Sequence, residues 1–76
     1  MNNILIFSTS VSSKEQINNI ISPIFNKVAG IMQYTFDLED SDRVLRIVGE
    51  DLIPANIELL LCGAGFSCQE MKYDLD

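Results

Sequence analysis

The spacing of apolar positions changes several times along the chain, and each change predicts a new element. An unbroken apolar run predicts a first strand over residues 3–9, with neighbouring strands on both sides in its sheet. Because side chains alternate along a strand, Leu5 and Phe7 are predicted to face the helices, which leaves Ile4 and Ile6 on the other face. A hydroxyl-rich loop follows this strand.

Apolar residues then recur at helical spacing over residues 17–28. Ser12 or Ser13 is predicted to cap this helix, since each is followed three residues later by a residue that completes a capping box. Pro23 has no N–H to donate, so we expect the helix to kink or break there. Gly30 is expected to end the helix in a left-handed conformation.

Two strands, over residues 31–38 and 43–48, are predicted to form a β-hairpin around a polar turn. Leu45 and Ile47 are expected on the core face of the second strand. The alternation in the first strand places four apolar side chains on its buried face, namely Met32, Tyr34, Phe36 and Leu38.

Pro54 suits the first turn of a second helix, and Gly65 is expected to close it. The buried stripe of this helix is predicted to comprise Ile57, Leu60, Leu61 and Ala64. A last strand over residues 66–71 and a frayed acidic tail over residues 73–76 complete the chain.

The order strand, helix, strand, strand, helix, strand predicts one α+β domain over residues 1–76. Right-handed crossovers give a ferredoxin-like βαββαβ two-layer sandwich. Its four-stranded antiparallel sheet carries two helices on one face and strands one and three in the centre.

Composition narrows the function classes. Five basic and eleven acidic residues give a net charge of −6, which argues against binding to a nucleic-acid backbone. With two cysteines, no signal peptide and no apolar segment of membrane-spanning length, we expect a cytoplasmic protein with reduced thiols and no membrane insertion. Domains this short often gain stability from a metal, disulfides or a partner.

Several short motifs resemble one ferredoxin-like family, the heavy-metal-associated domains. These motifs are Gly30-Ile31, Asp37-Leu38-Glu39 and Pro54-x-x-Ile57-x-x-x-Leu61-x-x-x-Gly65-Phe66. The family includes copper chaperones and the N-terminal domains of copper-transporting ATPases. The resemblance extends over nearly the whole chain and implies the same fold.

The family's Cys-x-x-Cys signature, at the junction of the first strand and first helix, is missing here. A gap-free match places Lys14 and Ile17 at those positions, and a shift by one places Ser13 and Gln16 there. None of these is a ligand for Cu(I), which prefers thiolates. We therefore expect no metal at this loop and no cofactor.

Cys62 and Cys68 offer the one alternative thiol pair. As a relocated site for Cu(I) or Zn²⁺, they would act within one chain or across a dimer. Five residues separate them, whereas compact thiol motifs use shorter spacing. The favoured interpretation is that each is a small, mildly apolar residue, with Cys62 exposed on the second helix.

Two further segments carry groups that could bind a ligand. The acidic turn offers oxygen ligands for a hard cation, from Asp37, Glu39, Asp40 and Asp42. The segment lacks the glycine and the distal glutamate of an EF-hand loop, so a solvated turn is favoured. The hydroxyls at residues 9–13 lie at a helix N-terminus, where anions bind. No glycine there permits close approach to the backbone, so helix capping is favoured.

The sheet face away from the helices is predicted to carry an apolar cluster with one cation. We call this set the open-face cluster: Ile4, Ile6, Val44, Arg46 and Val48. An apolar patch on a soluble protein often marks an interface. We therefore predict that a protein partner or a second copy packs on this face.

These observations favour a small protein-interaction module with a heavy-metal-associated-like fold. The alternatives are a metal carrier that uses Cys62 and Cys68, and a small-ligand regulatory domain of the ACT type, which shares this strand order. No enzyme is predicted, because the chain has no histidine and no recognisable set of acid, base and nucleophile. An RNA-recognition domain shares this topology but would need stacking aromatic residues and basic residues on the central strands. The acidic net charge and the aliphatic third strand argue against that function.

Overall fold

A computed structural model describes residues 2–71 of the chain, and the tail predicted over residues 73–76 lies outside the described residues. The strands are β1 (Asn2–Thr9), β2 (Ile31–Asp37), β3 (Val44–Glu50) and β4 (Cys68–Glu70). The first helix comprises three consecutive pieces, Lys14–Gln16, Ile17–Ile21 and Ser22–Phe25. The second helix is Pro54–Gly63.

The four strands form one antiparallel sheet in the order β2-β3-β1-β4. β1 and β3 lie in the centre, and both helices cover the same face of the sheet. The predicted ferredoxin-like α+β sandwich is therefore confirmed. Among the described residues, neither helix is long and apolar enough to cross a bilayer.

The core lies between the sheet and the two helices. As predicted, Leu5 and Phe7 of β1 and Leu45 and Ile47 of β3 point into it. The remaining core side chains are Val11, Ile21, Phe25, Leu52, Ile57, Leu61 and Phe66. Each fully buried side chain of this kind stabilises the fold by about 1.5–3 kcal/mol relative to an exposed one.

The first helix is interrupted, as Pro23 predicts, and the form of the interruption is a π-helical segment. The Ser22 N–H donates to the Ile17 carbonyl, five residues back, directly before the proline. This shift in hydrogen bonding accommodates the missing proline donor. The helix then ends at Phe25, earlier than its apolar stripe suggests.

Gly30 does not cap that helix, which corrects the prediction, although it is left-handed with φ of +97°. It stands immediately before β2, where its carbonyl accepts a hydrogen bond from the Glu50 N–H (2.9 Å). A Cβ on Gly30 would lie 2.5 Å from the Glu50 oxygen. Close approach of the two backbones therefore requires glycine here.

A β-bulge in β2 corrects the predicted alternation. The register changes between Ile31 and Gln33, which face Gly49 and Val48 of β3. As a result Ile31 packs against the core, and Met32 is 63% exposed instead of buried. Beyond the bulge the prediction is correct, because Tyr34 and Phe36 pack against the core.

The second helix follows the predicted pattern closely. Pro54 occupies its first turn and Ile53 stands at the N-cap without a side-chain hydrogen bond. At the other end Gly65 has φ of +96°, and the Phe66 N–H donates to the Leu61 carbonyl (2.9 Å). The Gly65 N–H also donates to the Cys62 carbonyl (3.0 Å), which completes a Schellman motif.

Candidate functional site

The loop between β1 and the first helix occupies the place where the heavy-metal-associated family carries its thiols. Here it is held by its own side chains. The buried Thr9 Oγ1 donates to the Arg43 carbonyl (2.7 Å) and accepts from the Val11 N–H (3.2 Å). Val11 itself is fully buried in the core. Thr9 therefore fixes the loop to the turn between β2 and β3.

The remaining hydroxyls of this loop also have protein partners. Ser10 exchanges hydrogen bonds with Ser67, through its N–H (3.1 Å) and its Oγ (2.9 Å). Ser13 is the N-cap, and its Oγ accepts from the Gln16 N–H (3.2 Å). The Gln16 side chain accepts in turn from the Ser12 N–H (2.7 Å). These hydrogen bonds cap the first helix, in agreement with the capping interpretation of this loop.

Neither alignment of the family signature places a soft ligand at this loop. Lys14 is exposed, and Ile17 packs against the core. Ser13 and Gln16 are occupied in capping. Within residues 2–71 no group of three or more histidine, cysteine or acidic side chains is arranged to hold a metal ion.

The two cysteines lie on either side of the turn that joins the second helix to β4. Cys62 is exposed, as predicted, near the end of the helix. Cys68 opens β4 opposite Thr9 and packs partly against the core. Both thiols are free.

Cys68 is a poor source of thiolate at neutral pH. Burial raises the pKa of its thiol to about 12, with smaller contributions from the Glu58 carboxylate and from Cys62. Metal ligation and nucleophilic attack both require the thiolate form. The environment of Cys68 therefore favours the protonated, structural role.

The acidic turn between β2 and β3 uses its carboxylates locally. Asp37 accepts from the Glu39 N–H (3.2 Å), and Asp40 accepts from the Asp42 N–H (2.8 Å). Arg43, at the end of this turn, has φ of +46°. These bonds are typical of Asx turns, which agrees with the solvated-turn interpretation.

All five residues of the open-face cluster lie on the sheet face away from the helices, on the two central strands. Ile4 faces Val48 and Ile6 faces Arg46 across the β1–β3 pair. The Ile6 carbonyl points away from β3 and accepts from the Met71 N–H next to β4 (2.8 Å). The two β1–β3 pairs are therefore non-hydrogen-bonded pairs, in which side chains approach closely. Ile4 is 54% exposed, Arg46 is exposed, and the other three are half-buried.

Two features of this face were missed in the sequence. Met71 continues the β4 register beside Ile6 and extends the apolar surface of the cluster. The alternation of β4 is the signal that would have shown it. A solvent-open hollow of about 230 Å³ lies on the β2 side of this face, lined by Arg46 and Val48 of the cluster and by Gln33 and Thr35 of β2.

Comparison with solved structures supports the predicted resemblance. The chain is similar to the N-terminal domain of ZntA, whose solution structure was determined in the apo form. The TM-score is 0.77 at 17% sequence identity, over 95% of this chain and 96% of that domain. The chain therefore has the fold of a heavy-metal-associated domain. No protein-family model matches the chain, and a search of curated proteins finds no match either.

Proposed function

We propose that this protein is a binding module that recognises another protein through the open-face cluster, and that it is not an enzyme. The observation that carries the proposal is the exposure of Ile4 beside Ile6 and Val48 in the middle of the sheet. Apolar side chains grouped in this way on an accessible surface are typical of interfaces.

The strand positions favour recognition of a partner by shape as well as by hydrophobicity. β1 and β3 are paired on both sides in the sheet, so the cluster rests on a rigid support. Side chains held in this way lose little conformational entropy on binding, which improves affinity for a given area. The partner therefore needs a complementary apolar surface that fits the open face of the sheet.

Arg46 adds a charge preference to this surface. It lies opposite Ile6 and Thr35, in a chain whose net charge is −6. An arginine at the centre of an interface commonly forms a bidentate pair with a carboxylate. The preferred partner is therefore one that presents an aspartate or glutamate among apolar side chains.

The experiment compares Ile4→Lys with Leu59→Lys as baits for partners in a cell extract. Leu59 is a matched control, since it is also a large apolar side chain, 69% exposed, but lies on the second helix. A protein captured by the wild type is then purified and titrated against each variant. We expect Ile4→Lys to weaken binding about tenfold or more, and Leu59→Lys to leave it unchanged.

Equal binding of the purified partner to wild type and Ile4→Lys would contradict the proposal. Arg46→Ala separates the charge preference from the apolar contact. It should weaken binding to a partner with an interfacial carboxylate and reduce the salt dependence of association. Thermal unfolding of each variant confirms that the fold is retained.

The alternative of a metal carrier has less support in the structure. It requires thiolates at Cys62 and Cys68, whereas the pKa of Cys68 is raised to about 12. Titration of the reduced protein with Cu(I) or Zn²⁺ against a chelator tests it directly. Tight, stoichiometric binding that disappears in Cys68→Ser would favour the carrier over the interaction module. The two free thiols fit the reducing cytoplasm proposed for the protein.

A further inference from the structure

The two edges of the sheet differ in how their backbone groups are occupied. At the β4 edge, Met71 bonds to Ile6 of β1 and Ser67 bonds to Ser10 just after β1, which directs the backbone N–H and C=O of Cys68 and Glu70 outward. The Glu58 carboxylate reaches across from the second helix and accepts from the Glu70 N–H (2.8 Å). β4 is also only three residues long. This edge is therefore blocked against a further strand.

The β2 edge has no comparable protection among the described residues. The Glu50 N–H donates to the Gly30 carbonyl, so every second residue of β3, counted back from Glu50, directs its backbone groups towards β2. The β2 residues opposite them, which hydrogen-bond to β3, are Gln33, Thr35 and Asp37. The backbone N–H and C=O of Tyr34 and Phe36 consequently point away from the sheet. Residues 33–36 carry no proline and no charged side chain, and the β-bulge between Ile31 and Gln33 lies before them. Of the usual devices that prevent edge pairing, this segment has only the charge of Asp37 at its far end.

We propose that β2 pairs with β2 of a second copy, antiparallel and centred on Thr35, to form one continuous sheet through two chains. This goes beyond the proposed function, because it uses the edge of the sheet and leaves the open-face cluster accessible. The segment after the bulge, residues 33–37, is the part that pairs.

The side chains of this segment are complementary to themselves in that register. Tyr34 of each copy lies opposite Phe36 of the other, which gives two aromatic pairs on the helix side of the sheet. Thr35 faces its own equivalent, and Gln33 faces Asp37. Each cross-strand pair therefore joins two aromatic or two polar side chains, and no like charges face each other.

Two alternative arrangements are less favourable. A parallel pairing would align the two Asp37 carboxylates and the two acidic turns, in chains that already carry −6 each. An antiparallel register centred on Tyr34 would pair Phe36 with Met32, where the bulge disrupts the backbone.

The aromatic side chains of the edge are already fixed for this pairing. The Tyr34 and Ser22 hydroxyls share a hydrogen bond (2.6 Å), and the Tyr34 ring makes an edge contact with Phe25 at 4.9 Å between centroids. Tyr34 and Phe36 are themselves 6.4 Å apart. Pairing through one strand buries less than the ~1,200 Å² of a stable interface, so we expect a dissociation constant between about 1 µM and 1 mM.

Sedimentation equilibrium up to about 1 mM protein, with Thr35→Lys and Thr35→Glu, tests the proposal. Each variant places like charges face to face at the two-fold axis, and we expect about tenfold weaker dimerisation. An equimolar mixture of the two should restore the dimer as a heterodimer. Gln69→Lys is the matched control, since it adds the same charge on the same face at the blocked β4 edge.

A protein that remains monomeric at 1 mM would overturn the inference. So would a dimer that Thr35→Lys leaves intact or that Gln69→Lys also abolishes. Ile4→Lys distinguishes the two proposals. A dimer that Ile4→Lys abolishes and Thr35→Lys preserves would contradict edge pairing and support self-association through the open-face cluster.

Discussion

The two faces of β1 carry similar residues in very different environments. Phe7 is fully buried under the helices, whereas Ile4, on the same strand and also strongly apolar, is 54% exposed. One face forms the core of the fold, and the other presents apolar surface to solvent. Burial under the helices therefore accounts for the apolar residues on one face of β1 and not for those on the other.

Paired substitutions on β1 give the largest contrast. Phe7→Ala should destabilise the protein by about 3–5 kcal/mol, because it removes a fully buried ring. Ile4→Ala, on the open face, should change the free energy of unfolding by no more than about 0.5 kcal/mol. Urea unfolding followed by circular dichroism measures both values. Comparable losses at the two positions would mean that the open face is covered in the isolated protein.

Matched threonine substitutions test the same contrast for polar groups. Thr9→Val should cost about 1–3 kcal/mol, since it leaves the Arg43 carbonyl and the Val11 N–H without their hydrogen bonds. Thr35→Val, an identical change on the exposed β2 edge, should be nearly neutral. Equal effects on the unfolding midpoint would argue that Thr9 does not hold the loop.

The cysteines provide the smallest contrast, in reactivity. At pH 8 iodoacetamide should modify Cys68 at least about tenfold more slowly in the folded protein than in urea, because its raised pKa keeps the thiol protonated. Exposed Cys62 should react with much less dependence on unfolding. Mass spectrometry of Cys62→Ser and Cys68→Ser variants reports each rate separately.

The same pKa predicts a loss of stability at alkaline pH. The folded state holds the Cys68 proton up to about pH 12, whereas the unfolded chain releases it near pH 9, the ordinary thiol value. The contribution of Cys68 to stability is therefore complete below about pH 9 and declines from pH 9 towards pH 12. Cys68→Ala should reduce this decline, and an unchanged pH profile would contradict it.

Local signals predicted most of the fold correctly. The periodicities, Pro23, Pro54 and Gly65 act within a few residues of themselves, so the order of elements and the ferredoxin-like topology followed from them. The error at Met32 had a non-local cause, because the bulge depends on how β2 meets β3. The role assigned to Gly30 was wrong for a non-local reason too, because its backbone approaches Glu50 closely.

The candidate surface was only partly predictable. Alternation in β1 and β3 was enough to place Ile4 and Val48 on one face. Alternation in β4 indicates the face on which Met71 lies, but its position beside Ile6, the burial of Cys68 and the blocking of the β4 edge by Glu58 depend on residues that are distant in sequence. Periodicity relates residues within one helix or strand, so it cannot indicate contacts between residues of different elements.

By itself the sequence determined which residues alternate, where helices are interrupted and that the loop after β1 has no thiol, because these are properties of neighbouring residues. The tertiary structure decided which apolar side chains stay exposed, how far the Cys68 pKa rises and which sheet edge Glu58 blocks. Burial, desolvation and strand pairing are relations between distant segments, and only the folded chain sets them.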